Sequence, residues 1–266
     1  MQHRVKFLRM ASISFYKYQG TGNDFVMIDN RENVFDKNDI KLVTKLCDRK
    51  FGIGADGVIL IEESITSDFE MVYYNPDGSQ SLCGNGSRCA VMFARFLGLI
   101  KDETNFMAID GEHYAKIEGE NVHLKMHDVE TYEVINNDFL IDTGSPHYIQ
   151  FVENIEAIDP ITEGRKIRYS DRFNEKGVNV NFLEKVDEEN VKIRTYERGV
   201  ENETLSCGTG CTAAALSMAI DNDISSVGLQ AMGGNLRVDF QKENGRFTNI
   251  YLIGPAEQVF QGQIEI

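Results

Sequence analysis

Short runs in which apolar and polar positions alternate occur along the whole chain and predict β-strands. In residues 191–196, for example, Val191, Ile193 and Thr195 alternate with charged or aromatic side chains, as in a strand with one buried face. The runs that predict strands are residues 13–18, 58–61, 69–74, 122–126, 178–182, 191–196 and 250–253.

Three other segments have the pattern of helices. Residues 38–48 carry Ile40, Leu42, Val43 and Leu46 at helical spacing, which predicts an amphipathic helix. Residues 89–99 and 211–220 are apolar or small on nearly every side, and a helix of this kind lies inside its domain.

A five-residue pattern around a cysteine occurs twice. Residues 82–86 read Leu-Cys-Gly-Asn-Gly and residues 206–210 read Ser-Cys-Gly-Thr-Gly, and each copy follows a predicted strand and precedes an apolar segment. The cysteines at positions 83 and 207 are 124 positions apart, about half of the chain. The repeat predicts an α+β fold built twice by internal duplication.

We predict a domain over residues 13–128 and a second over residues 129–255, with a boundary in the polar, acidic stretch 128–138. The last strand, residues 256–266, is expected to complete the first domain. Residues 1–12 form an appendage before the first predicted strand.

Composition and charge exclude several classes of function. The 266 residues are 42% hydrophobic, enough for a substantial core. A formal net charge of −15 repels phosphate backbones and anionic lipid, so we expect neither nucleic acid nor a membrane surface as a partner. No apolar run approaches the roughly 20 residues of a membrane span. Five cysteines, an odd number in a chain of this size, indicate free thiols and a reducing cytoplasm.

The repeated Cys-Gly-x-Gly pattern has a chemical meaning at the start of a helix. Glycine lets successive backbone N–H groups point at a ligand, and the helix N-terminus adds partial positive charge, so a carboxylate is attracted. The same field favours a thiolate, so we expect the pKa of Cys83 and Cys207 to be lowered. Cys47, Cys89 and Cys211 lie in predicted helices and are expected to be core residues.

Two such cysteines on opposite sides of one cleft suit a particular reaction class. Inversion of a carbon stereocentre by proton transfer needs a base on one face of the carbon and an acid on the other. Two helix N-termini aimed at one carboxylate would stabilise the negative charge that develops as the α-proton leaves. The pattern therefore predicts amino-acid racemisation or epimerisation.

Five segments together resemble the diaminopimelate epimerases, in the order in which that family has them. The resemblance runs from about Ile13 to the C-terminus and is carried by residues 15–25, 52–57, 74–89, 143–147 and 196–210. It implies two pseudo-symmetric domains, each a curved, mainly antiparallel sheet around a central apolar helix. It also implies a cytoplasmic homodimer that interconverts LL- and meso-2,6-diaminopimelate in lysine and peptidoglycan precursor biosynthesis, without pyridoxal phosphate or metal.

The resemblance also implies roles for individual residues, with Cys83 and Cys207 as the catalytic acid and base. The backbone N–H groups of Gly84, Asn85, Gly208 and Thr209 would hold the reacting carboxylate. The far end of the substrate would be bound by Asn23, Asn75, Asn179, Glu197 and Arg198. His147 is expected beside the first catalytic cysteine, where it could assist ionisation.

Two positions depart from the commoner family pattern. Ser145 stands where many relatives have an asparagine that contacts the distal end of the substrate, and Gly57 stands where some have glutamine. Both changes shorten the side chain. A related cofactor-independent racemase of another amino acid, for example histidine, is therefore the first alternative.

A second alternative is a non-enzymatic metal-binding or redox protein built on the cysteines at positions 83, 89, 207 and 211. Five residues separate the first pair and three the second, and five lies outside the usual spacing of structural zinc sites. The spacing therefore disfavours this alternative.

Overall fold

The computed structural model of the chain describes residues 12–265. The predicted appendage, residues 1–12, lies outside the described residues except for Ser12, with which the first strand begins. In chain order the strands are β1 Ser12–Gly20, β2 Asn23–Asp29, β3 Gly57–Glu62, β4 Phe69–Tyr74, β5 Glu103–Ala108, β6 Gly111–Glu118, β7 Asn121–Lys125, β8 Tyr132–Ile135, β9 Asp138–Asp142, β10 Pro146–Phe151, β11 Asn179–Lys185, β12 Asn190–Glu197, β13 Asn202–Thr204, β14 Ser226–Ala231, β15 Gly234–Glu243, β16 Arg246–Pro255 and β17 Glu257–Glu265.

Four α-helices and one short 3₁₀ helix complete the described residues. The α-helices are α1 Ile40–Cys47, α2 Gly84–Phe96, α3 Pro160–Arg168 and α4 Gly208–Ala219, and the 3₁₀ helix is Ile155–Ala157. The predicted amphipathic helix is confirmed as α1, which begins after an N-cap at Asp39. All seven runs that predicted strands overlap strands to within one residue, whereas α3 and nine of the 17 described strands were not predicted.

The strand pairing repeats in the two halves of the chain. In the first half, β1 pairs antiparallel with β2, β2 parallel with β3, β3 antiparallel with β4 and β4 parallel with β5, and β6 and β7 follow antiparallel. The second half has the same order and directions in β9, β10, β11, β12, β14, β15 and β16. The predicted α+β fold with two pseudo-symmetric domains from a duplication is thus confirmed.

Antiparallel pairing of β7 with β16 joins the two halves. At the far edges, β17 pairs with β1 and β8 with β9, both antiparallel. The last strand of the chain thus pairs with the first. The polar stretch in which we placed the boundary contains β8, and the residue limits of the two predicted domains stay a prediction.

Each half wraps its strands around one buried helix. The strand β3 is buried along its whole length because successive side chains face different layers. Val58 and Leu60 pack with the side chains of α1, whereas Ile59 and Ile61 join the cluster that contains α2. That larger cluster also contains the apolar side chains of α4, so the two central helices share one continuous core.

Both central helices begin earlier than their apolar patterns predicted. α2 starts at Gly84 rather than residue 89, and α4 at Gly208 rather than residue 211. Cys83 and Cys207 are the N-cap residues and have extended backbones. The glycines of the repeated pattern therefore form the first helical turn. A pattern of apolar side chains does not indicate this turn, because glycine has no side chain.

The N-termini of α2 and α4 lie close together, and both pack against the side chain of Leu252. A Cβ atom on Gly84 would lie 3.9 Å from the Cα of Gly208, and Cβ atoms on Gly84 and Gly208 would lie 3.5 and 2.8 Å from the Cδ2 of Leu252. Leu252 lies on β16, directly opposite Leu124 of β7, so the seam between the halves supports both helices. Within residues 12–265, no helix has the length and apolar character needed to cross a membrane.

Replacement of Leu252 by alanine is expected to destabilise the protein by about 2–5 kcal/mol, because it removes a fully buried side chain and leaves a cavity under both helices. Chemical denaturation followed by circular dichroism measures the change. Ile65→Ala, at a fully exposed apolar position, is the control and should alter the free energy of unfolding by less than about 0.5 kcal/mol. Equal effects of the two substitutions would contradict the supporting role of Leu252.

Candidate active site

A cleft of about 500 Å³ lies between the two halves, at the N-termini of α2 and α4. Both cysteines of the repeated pattern line it, together with the first residues of both helices. Of the predicted substrate-binding side chains, Asn23, Asn75 and Glu197 line the cleft as well. The pseudo-symmetry of the fold thus brings two equivalent thiols to one cavity.

Cys83 is half-buried at the start of α2 and makes two hydrogen bonds. Its Sγ accepts from the backbone N–H of Gly86 at 3.4 Å, and its thiol donates to Oδ1 of Asn23 at 3.5 Å. The amide of Asn23 is fixed in this orientation because its Nδ2 donates to Oδ2 of Asp56 at 2.7 Å. Arg49 in turn donates to Asp56 at 2.8 Å. The side-chain partner of Cys83 is therefore an acceptor, which suits the protonated thiol.

Cys207 has a different partner. Its Sγ lies 3.5 Å from Oγ1 of Thr209, and Thr209 is also 2.9 Å from Nε2 of His147. Asn181 donates to Nδ1 of His147 at 3.1 Å, because its Oδ1 already accepts from the Thr195 hydroxyl at 2.9 Å. Since Nδ1 is an acceptor, the imidazole proton lies on Nε2 and is donated to Thr209. The Thr209 hydroxyl is then free to donate to Cys207, which suits a thiolate.

The position of His147 differs from the expected one. We expected it beside the first catalytic cysteine, but its hydrogen bonds lie on the side of Cys207. The reason is the parallel pairing of β10 with β11, which places His147 opposite Asn179 and under the first turn of α4. His147 is wholly buried, and burial lowers its pKa to about 3, so the imidazole is neutral and acts as a hydrogen-bond donor.

Burial also controls the ionisation of the thiols, in the direction opposite to our expectation. It raises the pKa of Cys83 to about 11, against the backbone N–H groups of Gly86 and Asn85, which lower it. It raises the pKa of Cys207 as well, against the hydroxyl of Thr209. The negative charge of Glu197 raises the pKa of both thiols further. The expected lowering by the helix N-termini is therefore outweighed in this structure.

Glu197 lines the cleft, and its negative charge acts on both thiols. Its Oε2 accepts from the Thr204 hydroxyl at 2.9 Å, and burial raises the pKa of the carboxyl group. A carboxylate at this position can pair with a ligand's ammonium group.

Three further predicted residues form a separate cluster that does not line the cleft. Ser145 Oγ accepts from Asn179 Nδ2 at 2.9 Å and from Arg198 Nη2 at 3.2 Å. The backbone N–H of Arg198 donates to Asn179 at 2.8 Å, and its Nη1 donates to the carbonyl of Lys176 at 3.0 Å. Although its side chain is shorter than that of asparagine, Ser145 accepts hydrogen bonds from both Asn179 and Arg198.

Sequence reasoning missed several residues of the site. Asp56 and Arg49 line the cleft, and Tyr73, another lining residue, donates to Asn75 Oδ1 at 3.0 Å. Asp56 lies in a segment that carried the family resemblance, although we assigned it no role. Asn181 lies two positions after Asn179 on β11, so strand periodicity could have placed both on one face.

The other three cysteines are buried in the core, as expected. Cys89 and Cys211 are 0% exposed and Cys47 is 5% exposed. All five cysteines are free thiols. Among the described residues, no group of three or more His, Cys, Asp or Glu side chains has the arrangement of a metal site.

Comparison with known proteins gives consistent matches over nearly the full chain. A family model described as "Diaminopimelate epimerase" matches residues 15–132 and 139–259. The chain is 52% identical to a diaminopimelate epimerase of Flavobacterium psychrophilum, over 95% of this chain and 100% of the relative. It is 42% identical to that of Chlorobaculum tepidum, over 93% and 99%.

Solved structures share the fold at low sequence identity. A PhzF-family phenazine biosynthesis protein of Bacillus anthracis superposes with a TM-score of 0.78 at 16% identity, covering 97% of this chain and 100% of that one. A hydroxyproline epimerase of Agrobacterium vitis superposes with a TM-score of 0.65 at 14% identity, covering 96% and 93%. These two structures support the fold alone.

The hydroxyl of Thr209 is expected to control the ionisation of Cys207. Thr209→Val removes the donor, so the pKa of Cys207 should rise further and its alkylation by iodoacetamide should slow roughly tenfold at a given pH, since a hydrogen bond to a charged group contributes about 1.5–3 kcal/mol. Mass spectrometry of the Cys207 peptide across a pH series measures this rate. Thr209→Ser keeps the hydroxyl and is the control; identical profiles for the valine and serine variants would refute this role.

Proposed function

The chain belongs to the diaminopimelate epimerase family, and we propose that it interconverts LL- and meso-2,6-diaminopimelate by proton transfer between the α-carbon and two thiols, Cys83 and Cys207. As a member of this family it is an isomerase. The observation that carries the proposed mechanism is the presence of both thiols, each at a helix N-terminus, in one cleft between the pseudo-symmetric halves.

The proposed reaction needs no cofactor in its proton balance. One cysteine, as thiolate, takes the α-proton and becomes a thiol, and the other, as thiol, gives its proton to the opposite face of the carbon and becomes a thiolate. The reverse reaction uses the same two groups with their roles exchanged. After each turnover the two thiols have exchanged protonation states, and solvent returns them to the starting state.

The reacting carboxylate is proposed to lie between the two helix starts. The backbone N–H groups of Gly84, Asn85, Gly208 and Thr209 belong to the first turns of α2 and α4, where they have no partners within their helices. Such groups stabilise an anion, and here they would also stabilise the charge that spreads onto the carboxylate when the α-proton is removed.

Glu197 was expected at the far end of the substrate, but it lines the cleft and acts on both thiols, so it is proposed to bind the ammonium group next to the reacting carbon instead. Its negative charge raises the pKa of both thiols, and an ammonium partner would neutralise that charge. Binding of the amino acid would therefore favour the thiolate that the reaction needs.

The remaining substrate contacts are proposed for Asn23, Asn75, Asn179 and Arg198, with Ser145 between the last two. Arg198 can make the two-pronged carboxylate contact for the distal end of the substrate. In this structure its guanidinium donates to Lys176 and Ser145, so binding a ligand in the cleft requires exchange of these contacts.

The cellular setting follows from the same proposal. The product and substrate belong to lysine and peptidoglycan precursor biosynthesis. The five free thiols favour a reducing cytoplasm as the location of the enzyme. Half-buried Cys83 in particular must stay reduced to act as acid or base.

Proton NMR of LL-diaminopimelate in deuterated water, with no added cofactor, tests the mechanism. The wild-type protein should incorporate deuterium at the α-carbon and form the meso isomer. Cys83→Ala and Cys207→Ala should each lose epimerisation by at least about 100-fold, because each removes one acid or base. Cys47→Ala, which removes a core thiol outside the cleft, is the matched control and should remain active.

Other outcomes of this experiment would distinguish the alternatives. Faster deuterium exchange into histidine or another amino acid than into diaminopimelate would change the substrate and leave the two-thiol mechanism. Stoichiometric zinc in the purified active protein would contradict the mechanism, because zinc would occupy the thiols. Full epimerisation by either cysteine variant would do the same.

We also propose that the enzyme is a homodimer, with β17 in the interface. Within the described residues β17 pairs on one side only, with β1, and its Val259 and Phe260 side chains are 57% and 46% exposed. An edge strand with exposed apolar side chains favours pairing with a second chain.

Val259→Lys is expected to shift the protein from dimer to monomer, because it places a charge in the proposed interface. Light scattering coupled to gel filtration measures the mass. Val186→Lys, at a similarly exposed position outside β17, is the control. A wild-type monomer, or a Val259→Lys variant that stays dimeric, would refute the proposed interface.

A further inference from the structure

Arg88 is the largest side chain among the described residues that is wholly buried, and it is 0% exposed. It follows Cys83 by five positions, in the second turn of α2. Two glycines make room for its guanidinium group. Cβ atoms on Gly20 and Gly254 would lie 3.4 Å from its Nη2 and 3.5 Å from its Nε. The guanidinium therefore lies between the end of β1, the end of β16 and the start of α2.

The partners of Arg88 do not balance its charge. Nη2 donates to Oγ1 of Thr21 at 3.1 Å, and Nε donates to the carbonyl of Pro255 at 3.5 Å. Nη1 has no hydrogen-bond partner within residues 12–265, and no carboxylate of those residues lies within ion-pair distance of Arg88. A buried cation without an anion is costly for folding. Its presence calls for a reason other than stability.

The ionisable groups that face Arg88 are thiols. Its positive charge lowers the pKa of Cys83 and Cys89 on its own helix and of Cys211 on α4. Cys89 and Cys211 are wholly buried in the core, so Cys83 is the only one of the three in the cleft. Glu197 acts on Cys83 in the opposite sense. Thr21, which accepts a hydrogen bond from Arg88, also lies 3.1 Å from the hydroxyl of Ser206 in the second half, measured from its Oγ1. Ser206 is the residue before Cys207.

Cys83 needs such a charge more than Cys207 does. The Thr209 hydroxyl can donate to Cys207, whereas the side-chain partner of Cys83 is the carbonyl oxygen of Asn23, which is unfavourable beside a thiolate. At Cys83 the anion is favoured by the backbone N–H groups of Gly86 and Asn85 and by the charge of Arg88. The two thiols are thus supported by different means, although the fold that presents them is pseudo-symmetric.

We propose that Arg88 is a positioning residue for the proposed reaction: its buried, unpaired charge stabilises the negative charge that Cys83 and the substrate carboxylate bring to the start of α2. This inference rests on the proposed function for its substrate, and on the geometry of Arg88 for its effect on Cys83. Arginine suits the role because it keeps its charge when buried, whereas a buried lysine readily loses its proton.

The test compares Arg88→Met with wild type, using iodoacetamide alkylation of Cys83 without substrate, followed by mass spectrometry of its peptide across a pH series. Loss of the charge should move the midpoint of this profile upward by about one pH unit, a tenfold change in thiolate fraction. With diaminopimelate, kcat should fall about tenfold and the acid limb of its pH profile should move in the same direction. The Tm should be retained, since apolar residues often replace buried charges without loss of stability.

Two further variants separate charge from shape. Arg88→Lys keeps a positive charge only while its ammonium group stays protonated, so it should restore at most part of the wild-type profile. Arg95→Met removes an exposed arginine from the same helix and should leave both profiles unchanged. If Arg88→Met does not fold, Arg88→Gln, which keeps hydrogen-bond donors without the charge, is compared with wild type and should show the same upward shift.

The outcomes decide between a positioning role and a purely structural one. A lowered Tm with an unshifted Cys83 midpoint would overturn the proposal, as would a wild-type midpoint in Arg88→Gln or failure of all three variants to fold. Because alkylation is measured without substrate, the two proposals fail separately. A shifted midpoint in a protein whose wild type does not epimerise diaminopimelate would refute the proposed function and retain the effect of Arg88 on Cys83.

Discussion

The close approach of two helix N-termini is the constraint on which the rest of the site depends. α2 and α4 can begin at almost the same point because glycine occupies the first helical position of each, and Leu252 at the seam of the halves contacts both. A Cβ atom at Gly208 would lie 2.8 Å from the Cδ2 of Leu252, so a larger residue there would have to displace that side chain. The two thiols face one cleft because these two backbone segments meet. The arrangement of the thiols therefore depends on the contact between the two halves rather than on either half alone.

Bringing like partial charges together has an electrostatic consequence. Two positive helix ends meet at the cleft, the guanidinium of Arg88 is buried in the second turn of α2, and the charge of Glu197 acts on both thiols. Burial holds the pKa of both thiols high, so the free site favours the neutral thiols. An overall net charge of −15 does not describe this cavity, whose local donors attract a carboxylate.

The sequence predicted the features that are local along the chain. The duplication, the two cysteines of the repeated pattern and several of the longer strands follow from patterns a few residues long. The position of His147 could not be predicted in this way. It depends on the register between β10 and β11, which are separated in the chain by α3. Arg88 was hidden for a related reason: its neighbours come from β1 and β16, at opposite ends of the chain. Its missing counter-ion is visible only when all of these segments are in place.

The pairing of β17 with β1 has a consequence for how the chain is made. Ser12 lies opposite Glu265, so the edge strand of the first half is translated only after the whole second half. The first half therefore cannot complete its sheet until the second half has been translated, although its two α-helices and its seven other strands come first in the chain. Contacts of such large sequence separation slow folding and couple distant segments. The first half therefore reaches its final structure only after the second half has been translated, and its sheet includes a strand from the end of the described chain.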